Sequence, residues 1–213
     1  MIRMMLAALV ALAIALCVTA ATASPSVEAI EKALVALNRA ALAGDQPRAR
    51  TIAAAIDSAS LEAVCAPPWA DSDFCQVVWP GTRTELAAAL IVQGTLESGF
   101  AERIGAGRCR AFECDSIRLP GGRVVHLARS YWQLHASPTL LPLLEWASLR
   151  GVEFAPTADA AYAAARILGA GYQRCRSLEG GIAVYATGGP SCRWRGARSR
   201  AERIRLVEAR LRE

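Results

Sequence analysis

The sequence predicts a mostly α-helical domain with long loops and disulfides, on three observations. Hydrophobic residues make up 54% of the 213-residue chain but aromatics only 6%, and alanine carries much of the remainder. Side chains this small suit closely packed helices. Apolar residues recur at helical spacing behind capping signals. The cysteines outside the leader are even in number, as in a disulfide-stapled exported chain. The length is sufficient for one domain with a real core. The net charge of +5 is mild and dispersed, so no nucleic-acid partner is expected.

Residues 1–23 read as a secretory signal: Arg3, an apolar run over 6–18, then the small-residue site Ala21-Thr22-Ala23. The run is short for a bilayer span, so no membrane anchor is expected once it is cleaved. The location expected is secreted or periplasmic. Residues 24–64 form an N-terminal helical hairpin. In "SVEAIEKALVALNRAALAG", Val27, Ile30, Leu34, Leu37 and Ala41 fall at helical spacing, and Gly44 ends the run. Asp45 caps a second helix with Pro47 in its first turn.

Residues 65–213 form the main domain. "CAPPWADSDFCQVVWPG" is a loop, and Thr82-Arg83-Thr84-Glu85 is a capping box that opens a helix over 83–98. Loops fill 101–125. Ser137-Pro138 starts a helix that runs to Arg150. Thr157 caps an alanine-rich helix that ends at Gly169 or Gly171. Ser199 and Glu202 form a second capping box, opening a basic C-terminal helix.

Of seven cysteines, Cys17 falls in the leader. The simplest pairing of the rest is local: Cys65–Cys75, Cys109–Cys114 and Cys175–Cys192. There is no CxxC and the two histidines are His126 and His135, so no metal site is expected, and no cofactor.

Chemistry is sought first at "TLESGF", 95–100. Leu86, Leu90, Gln93 and Glu97 share one helix face, so Glu97 lies at the end of a core-facing stripe. A carboxyl held partly out of water favours its neutral, proton-donating form. "ALIVQGTLESGF" resembles the catalytic helix of the lysozyme-like soluble lytic transglycosylases, an apolar helix ending in Glu-Ser. "ARSYWQLH" resembles that family's Gly-Leu-Met-Gln segment, "AAYAAARIL" its alanine-rich helix, and "AVYATGG" its Ala-Tyr-Asn segment. Together these cover roughly half the chain. Ser130, Trp132 and Ala186 depart from the glycine, methionine and asparagine usual there.

The resemblance implies a lysozyme-like helical domain that cleaves the β-1,4 bond between N-acetylmuramic acid and N-acetylglucosamine. Peptidoglycan glycan strands would be its partner, and the chain would act as a monomer. Glu97 would be the general acid and then the base that closes a 1,6-anhydro ring. Ser98 would orient the N-acetyl group or the acid, Gln133 would bind sugar and Tyr185 would hold the acid. Trp132, with Tyr131, would stack on a sugar face. A hydrolytic muramidase generally needs a second carboxylate, for which Glu113 and Asp115 are candidates and Glu102 is no better placed. The missing asparagine motivates a third reading, a non-catalytic wall-binding protein. His126 and His135 read as structural or surface residues, and the arginine-rich tail as a solvated helical face.

Overall fold

The structure is a computed structural model and describes residues 24–63, 79–110, 113–137, 141 and 143–213. The leader, Cys17, the Cys65–Cys75 pairing, Pro138 and Pro142 lie outside the described residues.

The chain is mostly helical, as its spacing predicts. Ser26 caps α1 (Val27–Leu37), its hydroxyl accepting from the Ala29 N–H at 3.1 Å. The predicted continuation to Gly44 breaks at Asn38. The Asn38 amide donates to Leu34 O and to Thr95 Oγ1, both at 3.0 Å, and such a side chain competes with the helical ladder. A short α2 (Arg39–Leu42) follows. Asp45 then caps α3 (Gln46–Ala63) by accepting from the Arg48 N–H at 3.2 Å.

α4 (Arg83–Glu97) is the central helix, and every residue from Leu86 to Gly94 is buried. Thr82 Oγ1 accepts from the Glu85 N–H at 3.0 Å, as the capping signal predicts. Two successive left-handed residues, Gly99 (φ 58°) and Phe100 (φ 53°), reverse the chain beyond it. This folds the buried Phe100 ring back onto Gly94, where an added Cβ would stand 2.2 Å from Phe100 Cζ. Gly94→Ala is therefore expected to cost about 1–3 kcal/mol through overpacking. Urea denaturation checks it, with a lower midpoint at unchanged slope. A midpoint equal to the parent's would rule out this packing.

After α5 (Glu102–Gly105), β1 (Ser116–Arg118) and β2 (Val124–His126) form an antiparallel hairpin with Ile117 opposite Val125. The helix expected from Ser137 is shorter than predicted: α6 covers Leu143–Ser148. Ser137 exchanges both backbone bonds with Leu141, at 2.8 and 3.0 Å, so its backbone is strand-like and does not open a helix. α7 (Phe154–Cys175) starts before Thr157, whose hydroxyl donates to Glu153 O at 2.6 Å from inside the first turn.

α7 also runs past Gly169 and Gly171. Both glycines are buried inside the helix rather than stops, and Gly171 is a contact point. A Cβ on Gly171 would meet Val184 Cβ at 2.8 Å, which is how closely α8 (Leu178–Thr187) approaches. α9 (Ala197–Leu211) begins two residues before the expected cap. Ser199 lies within it and donates to Gly196 O at 3.0 Å, while Glu202 pairs with Arg198.

One buried cluster includes Ile30, Ile56, Leu90, Leu168, Ile182 and Ile204, so the N-terminal hairpin shares its core with α4, α7, α8 and α9. Cys109–Cys114 and Cys175–Cys192 are bonded as the local pairing predicts. No helix among the described residues is long and apolar enough to cross a membrane.

Candidate functional site

Five parts of the chain converge on a cleft of about 730 Å³, within the usual size of small-ligand sites. The last turn of α4 supplies Glu97. One face of α7 supplies Ile167, Ala170, Gly171 and Arg174, which recur at helical spacing. The end of α8 and the turn after it supply Val184, Tyr185 and 186–190. The loops before and after β1 and β2 supply Asp115 and 133–137. Glu97, Gln133 and Tyr185 thus line one cleft although they are distant in sequence.

The surroundings of Glu97 are not the apolar pocket its stripe suggests. Arg200, from the first turn of α9, places Nη1 2.5 Å from Glu97 Oε1 and 2.5 Å from Gln93 Oε1. The side chains are 24% and 15% exposed for Glu97 and Arg200. The guanidinium lies 4.7 Å from the centre of the Trp194 ring. One carboxylate oxygen is therefore anchored by a cation, and Oε2 takes no bond among the described residues.

Tyr185 does not bond to Glu97. Its hydroxyl donates to Trp132 O at 2.5 Å, tying α8 to the 129–134 loop. Burial pushes the phenol well above its usual range; the nearby Glu97 charge adds to this and Arg200 opposes it. Tyr185 is thus a neutral donor at ordinary pH.

The 129–134 loop is tight, with Arg129 and Leu134 exchanging backbone bonds at 3.0 and 2.8 Å. Ser130 (φ 64°) and Gln133 (φ 50°) are both left-handed, a conformation that glycine adopts most readily. Gln133 Nε2 donates to Ser130 O at 3.1 Å and contacts Cys114 Sγ at 3.4 Å. Its carboxamide oxygen is the atom left to meet a ligand.

Two expected substrate contacts are not there. Trp132 is fully buried and donates from Nε1 to Leu90 O at 2.9 Å. It is a core residue packed edge-on to Phe100 and Tyr131, and no face of it meets a sugar. Tyr131 is buried with it, and burial raises its phenol to about 12. Ser98 does not line the cleft. Its hydroxyl donates to Gly94 O and accepts from the Phe100 N–H, both at 3.1 Å, which closes the end of α4.

The candidate second carboxylates separate. Glu113 lies outside the cleft: it accepts from the Arg110 N–H at 2.9 Å and pairs with Arg103. The Arg110 bond first, and Arg103 with it, lower its pKa. Glu102 pairs with Arg108 at 2.7 Å, also outside. Asp115 lines the cleft, held left-handed (φ 45°) beside the Cys109–Cys114 bridge. His135 Nε2 lies 2.8 Å from Asp115 Oδ2, and His135 also lines the cleft. His126 instead meets Ser116 Oγ at 2.6 Å across the β hairpin.

Sequence reasoning missed Arg200, Arg174 and the His135–Asp115 pair. The first two sit among many arginines, and no local spacing singles them out. His135 follows Gln133 by two residues, a proximity that gains meaning only once the loop conformation is known. No protein-family model matches the chain, and neither a curated protein nor a solved structure matches it.

Proposed function

We propose that the protein is a lysozyme-like, peptidoglycan-cleaving glycosidase, a lytic transglycosylase with Glu97 as its acid and base. One observation carries the reading: Glu97, Gln133 and Tyr185, nominated by three separate sequence motifs, line a single cleft. In this reaction Glu97 acts from its protonated form: Oε1 still accepts from Arg200, and Oε2 gives its proton to the glycosidic oxygen as the bond from muramic acid C1 breaks. The C6 hydroxyl then attacks C1, its proton returns to Glu97, and a 1,6-anhydro end forms. Arg200 keeps the other oxygen fixed, so the acid is oriented before substrate arrives. The Gln133 oxygen accepts from a sugar N–H or hydroxyl. Tyr185 holds the Gln133 loop through its bond to Trp132 O.

Purified peptidoglycan incubated with the protein should release muropeptides with anhydro ends, one water lighter by mass spectrometry than reducing ends. Absence of released fragments would overturn the reading.

Asp115 favours hydrolysis as the outcome at the same site. A carboxylate in the cleft can take a proton from water as that water attacks C1. If it does, products carry reducing ends, and Asp115→Asn should slow their release by about 100-fold or more. Anhydro products and an unaffected Asp115→Asn variant would exclude that role.

The ion pair favours a second reading, a wall-binding protein without turnover. Glu97 is already engaged by Arg200. Retention of the chain on insoluble peptidoglycan with no fragment released would select it.

A further inference from the structure

We infer that Arg174 makes the cleft selective for glycan that carries a carboxylate on its muramic acid side, as against neutral N-acetylglucosamine polymer. The inference rests on the glycan-binding reading of the cleft and not on catalysis.

The charges that line the cleft differ in availability. Glu97 is bonded to Arg200, and Asp115 faces His135 at 2.8 Å. Arg174 is exposed, lines the same cleft, and pairs with no acid among the described residues. It is the one arginine among the described lining residues, and no lysine accompanies it there. An incoming carboxylate therefore meets this guanidinium without first displacing a protein anion.

The position is also well held. Ile167, Ala170, Gly171 and Arg174 form one stripe of α7, so the guanidinium stands at the end of a surface of small and apolar side chains. A sugar ring resting on that surface would carry its acidic substituent to the rim. The next residue, Cys175, is bonded to Cys192, and this staples the end of α7 to the segment following cleft residues 186–190. A guanidinium at a fixed rim binds carboxylate through paired N–H groups with geometric selectivity.

The carboxylate has two chemical sources: the lactyl group of peptide-free muramic acid, or the carboxylates of an attached stem peptide. The test measures equilibrium binding of three tetrasaccharides to the full chain and to Arg174→Gln. One is peptide-free with lactyl carboxylates, one bears stem peptides and one is chitotetraose. The wild type should bind at least one acidic tetrasaccharide about ten-fold or more tightly than chitotetraose. Arg174→Gln should remove that preference and leave chitotetraose affinity unchanged, and Arg174→Lys should restore part of it. Whichever acidic arm carries the preference identifies the source.

An arginine in the last turn also steadies its helix through the dipole. That role would change thermal stability and not the split between ligands. Equal wild-type affinities, or a parallel loss for all three sugars in Arg174→Gln, would overturn the inference. Cleavage is scored separately, so a chain that binds selectively without cutting would refute the enzymatic reading alone. Failure to bind any of the three would overturn both.

Discussion

Glu97→Gln is expected to lower the rate of peptidoglycan cleavage by about 10²–10⁴-fold, the usual contribution of a positioned acid or base. The substitution removes the transferable proton and keeps an oxygen able to accept from Arg200. Loss of rate should therefore come without loss of fold. Muropeptide release measures the first and circular dichroism the second. A folded variant that cleaves at the parental rate would remove Glu97 from the chemistry. A variant that also unfolds would show that the Arg200 contact needs a charged partner, and Glu97→Asp would then carry the test.

Arg200→Met should destabilise the fold at the cleft. It leaves Glu97 Oε1 and Gln93 Oε1 without their donor and removes the cation from the Trp194 ring. Breaking a fully buried ion pair costs about 3–5 kcal/mol. Here the side chains are 15% and 24% exposed, and solvent screening reduces the expected cost to roughly 2 kcal/mol. For a chain of this length that lowers Tm by about 4–8 °C. Thermal unfolding checks it, and an unchanged Tm would mean the pair holds nothing together. In a Glu97→Gln background the same change should cost less, because the charge it strands is already gone.

Local signals were most reliable where the backbone was free to obey them. Asp45 and Thr82 both cap the helices their positions predict. Thr157 and Ser199 carry the same chemistry but lie inside helices that begin earlier, where their hydroxyls turn back to carbonyls of the preceding turn. A hydroxyl that can bond either way does not reveal which bond it makes. Gly169 and Gly171 were ambiguous in another manner. Glycine ends helices and also lets helices touch, and at Gly171 the approach of α8 decides for contact.

At the site, helical phase correctly put Glu97 at the end of the face of Leu86, Leu90 and Gln93. What the phase could not supply was the partner. Arg200 is 103 residues away, and spacing along a helix carries no information about contacts between helices. Trp132 shows the converse. An aromatic beside a glutamine suits a sugar-binding loop, but the 129–134 turn directs the ring inward and Leu90 O takes its N–H. Glu113 and Asp115 are near neighbours in sequence with opposite outcomes, because left-handed Cys114 and Asp115 reverse the chain between them.

By itself the sequence determined a disulfide-bonded helical domain, the central apolar helix and the acid at its end, because these follow from periodicity, capping and cysteine count. Only the tertiary structure decided that Glu97, Gln133 and Tyr185 share a cleft with Asp115 and Arg174, and that Arg200 holds the acid. Those relations arise where separate helices and loops pack together, through contacts between residues that no local pattern connects.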